Sequence, residues 1–187
     1  MKKQFLRLSL AALLTATAFT ACKKDKGETN EEEVITTLQL TFSPQGGGSP
    51  LVYKFEDADG PGGAAPVIDQ IVLAPSKSYD VALQLLNKTV TPAEDITEEI
   101  EEEADAHRFY FVPAAGANIT VSGLDKDANG VDLGLHSVWT TGAAATGSIK
   151  VTLRHYPAVP PNKAQADLVD SQKSGTDLEA SFTTRIQ

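Results

Sequence analysis

Two short turns in the sequence have the oxygen-rich spacing that binds calcium. Residues 125–130 read Asp-Lys-Asp-Ala-Asn-Gly, the first half of an EF-hand loop with oxygens at positions 1, 3 and 5 and glycine at 6. A second turn, Asp57-Ala58-Asp59-Gly60, is shorter. If the two turns lie at one end of the domain, they can share an ion with Asp132. The calcium ligands so predicted are Asp57, Asp59, Asp125, Asp127 and Asn129.

The same residues also suit plain hairpin turns. Asp and Asn followed by Gly tolerate the positive φ that tight turns require. The twelfth position of the loop holds His136 in place of the bidentate Glu, and no helix is predicted on either side. We therefore favour hairpin turns, and a calcium site is the alternative.

Three histidines and one tryptophan are the other residues that suggest a ligand. His107, His136 and His155 lack the local spacing of a zinc motif, so a zinc site would have to be assembled by tertiary structure. Isolated histidines are the favoured interpretation. Trp139 is a candidate stacking platform for a sugar or another flat ligand, although a lone Trp in a β domain more often packs in the core.

No catalytic motif is present in the sequence. There is no GxSxG, and Ser148 stands where the lysine of a phosphate-binding loop would follow Gly142 and Gly147. The acids of residues 94–105 lie on one predicted helix, where they face water instead of facing each other across a cleft. We therefore predict a protein that is not an enzyme and has no required cofactor.

The first 33 residues predict export and lipid anchoring. Residues 1–21 combine a basic start, an apolar run too short to span a bilayer, and small residues at a cleavage point. Cys22, the only cysteine, follows Phe19-Thr20-Ala21 and resembles the lipid-acceptor cysteine of a bacterial lipobox. Residues 22–33 are then the acylated cysteine and a polar tether. The tether spans about 18 Å as a random coil, and two or three acyl chains make a durable anchor.

Composition limits the partners. The formal net charge of −9, from 16 basic and 25 acidic residues, argues against nucleic-acid binding. The predicted partners are the membrane, through the lipid anchor, and an unidentified protein or glycan. The predicted location is the cell envelope, favouring the outer membrane, with the periplasmic or outer face left open.

From Val34 onward the hydrophobic pattern has a period of two. Leu38, Leu40 and Phe42 alternate with polar residues, as do Ile149, Val151 and Leu153. Seven to nine such segments, separated by Gly- and Asp-rich turns, predict an immunoglobulin-like antiparallel β-sandwich over residues 34–187, with a β-barrel as the alternative. Residues 157–177 lack the pattern and are predicted to form a long loop that is either functional or mobile.

One acidic segment is predicted to be a helical insertion. Thr91-Pro92-Ala93-Glu94 has the form of a capping box with proline in the first turn. Ile96, Ile100, Ala104 and His107 follow at nearly helical spacing, so a narrow stripe can dock on the sheet while the acids face water.

Together these stretches resemble a group of small lipoproteins of Bacteroidota-type Gram-negative bacteria. The resemblance rests on the lipobox and on APVIDQIVL (65–73), EDITEEIEEEADAH (94–107), WTTGAAATGSIKVTLRHYP (139–157) and DLEASFTTRI (177–186). It implies a membrane-anchored β domain and carries no activity onto particular residues. The function expected is therefore a non-enzymatic binding or structural module. The alternatives are a calcium-stabilised adhesion or scaffold domain and a carbohydrate-binding accessory of nutrient uptake.

Overall fold

A computed structural model describes residues 33–60 and 62–187 of the chain. The predicted signal peptide, Cys22 and nearly all of the tether lie outside these residues. Within the described part, no helix is long and apolar enough to cross a membrane.

Strands dominate the described residues. In chain order they are β1 (Thr37–Pro44), β2 (Leu51–Glu56), β3 (Val67–Ile68), β4 (Ile71–Leu73), β5 (Ser78–Asn87), β6 (Glu94–Asp95), then helix α1 (Ile96–Glu102), β7 (His107–Pro113), β8 (Ile119–Ser122), β9 (His136–Thr141), β10 (Ala145–His155) and β11 (Gly175–Ile186). The larger sheet has the order β3-β2-β1-β5-β9-β8, with β6 also paired to β5. The smaller sheet has the order β4-β11-β10-β7.

The two sheets bury their apolar faces against each other. In the larger sheet, Leu38, Leu40 and Phe42 of β1 are fully buried, and each is paired in register with an apolar residue of β5. The smaller sheet contributes buried alternating residues from β10 and β11, among them Ile149 and Phe182. The period-two pattern therefore identifies the core correctly, because successive side chains of a strand point to opposite faces.

The predicted β-sandwich class is confirmed. Among the described strands, eight have four or more residues, and three are shorter. All pairs are antiparallel except β4 with β11, which is parallel. Residues 67–73 are divided between the two sheets: β3 pairs with β2 in the larger sheet, and β4 pairs with β11 in the smaller sheet. Asp69 lies between β3 and β4, where the chain passes from one sheet to the other. Its side chain accepts a hydrogen bond from the backbone N–H of Lys54.

The helical insertion is present, but its predicted start is wrong. Helix α1 begins at Ile96, and its N-cap is Asp95, whose side chain accepts a hydrogen bond from the backbone N–H of Thr97. The expected capping box at Thr91 does not form, because Glu94 and Asp95 pair with β5 and hold the chain extended. Ile96 and Ile100 are buried as predicted, whereas His107 belongs to β7.

The long loop of residues 157–174 is fastened by basic side chains. Arg108 donates through Nη1 to the carbonyl oxygens of Ala164, Gln165 and Asp167. Arg154 donates through Nη2 to the carbonyl oxygen of Ser171. These contacts hold the loop against β7 and β10, beside the site described next.

Candidate functional site

A cluster of ionisable side chains lies where α1 ends, β7 begins, β10 ends and β11 begins. Glu103 is the C-cap of α1, and His107 and His155 are the first residue of β7 and the last residue of β10. The register of the antiparallel pair sets His107 directly opposite His155. Asp177 approaches from β11. We call Glu103, His107, His155 and Asp177 the histidine corner.

The four side chains are close together. The imidazole rings of His107 and His155 are stacked, with centroids 4.6 Å apart and planes 22° apart. One ligand atom each from Glu103, His107 and His155 lie within 4.8 Å of one another, the only such group of three or more among residues 33–60 and 62–187. Nε2 of His107 is 3.8 Å from Oδ2 of Asp177, and both side chains are almost fully buried.

A β-bulge brings Asp177 to the corner. Leu153 pairs with Leu178, but the next residue, Arg154, pairs with Thr176, so Asp177 is the additional residue on β11. Such bulges bend a strand locally and change the direction in which a side chain points. The irregularity in β11 therefore accounts for an acidic side chain beside His107.

The tautomer of His107 is set by its neighbour. Its Nδ1 is 3.1 Å from the carbonyl oxygen of Glu103, which can only accept, so Nδ1 carries the proton. Nε2 then presents a lone pair and has no hydrogen-bond partner among the described residues. Nδ1 of His155 is likewise buried and has no hydrogen-bond partner there.

Burial disfavours the charged form of both histidines in a surrounding that also contains carboxyl groups. Burial is the largest of the effects that lower the pKa of His107 to about 4, and the charges of His155 and Lys163 lower it further. Burial also lowers the pKa of His155. The pKa of Glu33 is raised to about 7. Burial is the largest cause, and the charges of Glu99, Asp177 and Glu103 add to it. Neutral imidazoles beside several carboxylates form a surrounding that attracts a cation.

The structure does not assemble the predicted shared calcium site. Asp125 accepts hydrogen bonds from the backbone N–H groups of Gly134 and His136. Oδ1 of Asp127 accepts from the N–H groups of Asn129 and Val131. No acids of the two turns form a group of three in the described residues.

A lysine ammonium occupies the place beside Asp127 where a cation was expected. Nζ of Lys163 is 2.8 Å from Oδ2 of Asp127, and each side chain is 1% exposed. The same ammonium donates to the carbonyl oxygens of Ala104, His107 and Asp132, at 2.6, 2.8 and 3.2 Å. The turn at 125–130 is therefore a hairpin turn stabilised by an internal cation.

The other predicted turn is a separate local structure. Oδ2 of Asp59 accepts a hydrogen bond from the backbone N–H of Ala64, and the N–H of Asp57 donates to the carbonyl oxygen of Thr36. The contact of Asp59 lies within the turn, and the contact of Asp57 continues the pairing of β1 with β2.

Trp139 is not a ligand platform. Its side chain is completely buried, and its indole N–H donates to Oγ of Ser137 at 3.0 Å. Phe42 and Phe111 pack edge-on against it, with centroids at 5.1 and 5.6 Å. The alternation in β9 turns Trp139 into the space between the sheets.

The sequence favoured isolated histidines and left a site assembled by tertiary structure as the alternative, without naming Glu103 or Asp177. The structure brings His107 and His155 together and leaves His136 apart. The members of the histidine corner are distant in the chain and follow no local motif, so only strand register brings them together. The positions of His107 and His155 at the ends of two strands were the available signal, because ends of antiparallel strands meet.

Comparison with known proteins adds no relative: no family model, no curated protein and no solved structure matches the chain. The resemblance to small envelope lipoproteins therefore stays a prediction.

Proposed function

We propose that this protein is a lipid-anchored protein of the bacterial cell envelope whose sandwich domain is a non-enzymatic binding module. The observation that carries the binding function is the histidine corner, where two imidazoles and two carboxylates are brought together by the ends of α1, β7 and β10 and the start of β11. The anchoring function is carried by Cys22, directly after the apolar export segment.

The last residue of the predicted tether lies near the corner. Burial of Glu33, together with the charges of Glu99, Asp177 and Glu103, raises its pKa. Ile35 and Thr36 follow at once as buried residues that lead into β1. If Cys22 carries the anchor, we expect the corner to lie at the end of the domain that faces the membrane.

The two alternatives receive less support. A calcium-stabilised scaffold requires the two Asp-rich turns to meet, and Asp127 instead pairs with Lys163. A carbohydrate-binding accessory requires an exposed aromatic platform, and Trp139 is buried.

The anchor is tested by labelling cells that express the full chain with radioactive palmitate. We expect the wild-type protein to take up the label and to sediment with outer membranes. Cys22→Ser should lose the label and leave the membrane fraction, whereas Thr20→Ser, two residues away, should retain both. Membrane association of unlabelled Cys22→Ser would contradict lipid anchoring.

A further inference from the structure

We infer that the histidine corner is a binding site for a divalent transition-metal ion of the zinc class, with Glu103, His107, His155 and Asp177 as its ligands. The inference names the ligand of the proposed binding module and so rests on that proposal. It does not depend on the lipid anchor. Four arguments support it.

The first argument is the buried lone pair of His107. Its Nε2 is unprotonated, makes no hydrogen bond to a described residue, and lies 3.8 Å from Oδ2 of Asp177. An imidazole nitrogen and a carboxylate oxygen are both donor atoms that a metal ion of this class accepts. A cation between the two atoms gives the buried imidazole nitrogen a partner.

Second, the distances between the donor atoms are close to those in a zinc site. Zinc bonds of about 2.0–2.2 Å place neighbouring tetrahedral ligands about 3.4 Å apart. The 3.8 Å between Nε2 of His107 and Oδ2 of Asp177 is close to that value. One ligand atom each of Glu103, His107 and His155 also lie within 4.8 Å of one another. Glu103 is exposed, so its carboxylate can close on an ion by rotation without repacking the core.

Third, hydrogen bonds from neighbouring groups hold His107 in the orientation of a ligand. Zinc-binding histidines almost always donate their other ring N–H to a carbonyl or carboxylate, which fixes the tautomer and the ring orientation. Nδ1 of His107 makes this contact with the carbonyl oxygen of Glu103. The carbonyl oxygen of His107 in turn accepts a hydrogen bond from Lys163, which holds the start of β7 in place.

The fourth argument is the chemistry of the donor set. Two imidazole nitrogens and two carboxylates suit zinc and its neighbours in the transition series. Calcium requires six to eight oxygen ligands, and magnesium retains oxygen and water. The corner therefore selects a transition metal over the calcium that the sequence suggested elsewhere.

The test is metal titration of the full-length lipoprotein, purified in detergent and stripped with EDTA. We expect saturable one-to-one binding of Zn²⁺ by calorimetry, no comparable binding of Ca²⁺, and visible absorption typical of tetrahedral Co²⁺ when cobalt is substituted. Absence of saturable Zn²⁺ binding would overturn the inference.

Matched variants locate the site. Glu103→Gln, His155→Gln and Asp177→Asn should each weaken zinc binding by at least about 10–100-fold, the range measured for changes around metal ligands. Glu101→Gln, exposed on the same helix, and His136→Gln, exposed on β9, should leave the affinity unchanged. Equal loss in His136→Gln, or full affinity in His155→Gln, would contradict the assignment.

Two features keep the result interpretable. Glu103 is exposed, so Glu103→Gln tests the site even if a buried variant fails to fold. Zinc binding is measured on purified protein, so its outcome is independent of palmitate labelling. A protein that binds zinc but takes up no lipid overturns the anchor alone, and a lipoprotein that binds no zinc overturns this inference alone.

Discussion

At the scale of single residues, the most consequential side chain that the sequence did not single out is Lys163. Its ammonium lies in a cage of one carboxylate and three backbone carbonyl oxygens, with its side chain 1% exposed. Burial lowers its pKa, and the ion pair with Asp127 opposes that shift. A buried charge of this kind is tolerated only while its partners remain in place.

Lys163→Met should destabilise the protein by about 3–5 kcal/mol, the usual effect of removing one partner of a buried ion pair. The change leaves the carboxylate of Asp127 buried without its counter-charge. The measurement is thermal unfolding followed through the emission of Trp139, the only tryptophan of the chain.

Lys173→Met is the matched control. Lys173 pairs with Asp167 at 2.7 Å, but its side chain is 43% exposed. Exposed ion pairs contribute about 0–1 kcal/mol, so this variant should unfold almost as the wild type does. Similar losses in both variants would show that the buried cage is not a special source of stability.

At the scale of elements, helix α1 shows how sheet pairing overrides a local signal. The sequence from Thr91 has a well-formed capping box, yet the helix starts four residues beyond the expected position. Two residues of β6 pair with the end of β5, and the extended backbone delays the helix until Asp95 can cap it.

Asp95→Ala should therefore destabilise the protein by about 0.5–2 kcal/mol, since it removes the N-cap of α1. It also removes the acceptor for Nε2 of Gln84. Thr91→Ala, at the cap that the sequence predicted, should change stability by less than about 0.5 kcal/mol. Urea unfolding of the two variants distinguishes the caps, and a larger loss in Thr91→Ala would contradict the observed helix start.

The segment that leads into β9 depends on one glycine. Gly134 has φ +95°, and a Cβ there would lie 2.9 Å from Cβ of Phe109. Gly134→Ala should add overpacking of about 1–3 kcal/mol to the strain of a positive φ. Gly130 also has a positive φ, but no atom lies within 4 Å of its added Cβ.

Gly130→Ala therefore isolates the backbone strain, about 1–2 kcal/mol. The difference between the two variants in thermal unfolding measures the close approach of Gly134 to β7. Equal stabilities would mean that Phe109 shifts without resistance.

At the scale of the whole molecule, acidic groups dominate the charge, and several are stabilised by basic partners. Burial alone would raise the pKa of Asp132, but hydrogen bonds from Lys126 and Gln165, together with the charge of Arg108, lower it below its usual 3.8. A carboxyl group with a lowered pKa binds fewer protons in the folded state than in the unfolded state. Its stabilising contribution is therefore complete above pH 3.8 and is lost as the pH falls through the lowered pKa.

Asp132→Asn should flatten the loss of stability on acidification below about pH 4, because the amide does not titrate. The measurement is the melting temperature as a function of pH in the presence of EDTA. Asp170→Asn, an exposed position in the long loop, should retain the slope of the wild type. An unchanged slope in Asp132→Asn would show that other carboxylates control the acid transition.

The strand pattern was predictable because it depends on local alternation. Residues of β1, β10 and β11 alternate in the sequence, and their buried faces are the ones that this alternation predicts. The division of residues 67–73 between two sheets was not predictable, because it depends on the edge strand with which each half of the segment pairs. The burial of Trp139 agrees with the packing role that the sequence favoured, and its use as a platform is wrong.

The sequence by itself determined the β-sandwich class, the alternating core, the acidic helix and the hairpin chemistry at residues 125–130, since each follows from neighbouring residues. Tertiary structure alone decided that His107 faces His155, that a bulge brings Asp177 beside them, and that Lys163 fills the cage at Asp127. The physical reason is that strand register and loop docking depend on long-range packing between distant segments. A binding site assembled by register carries no local motif, and only the folded chain reveals it.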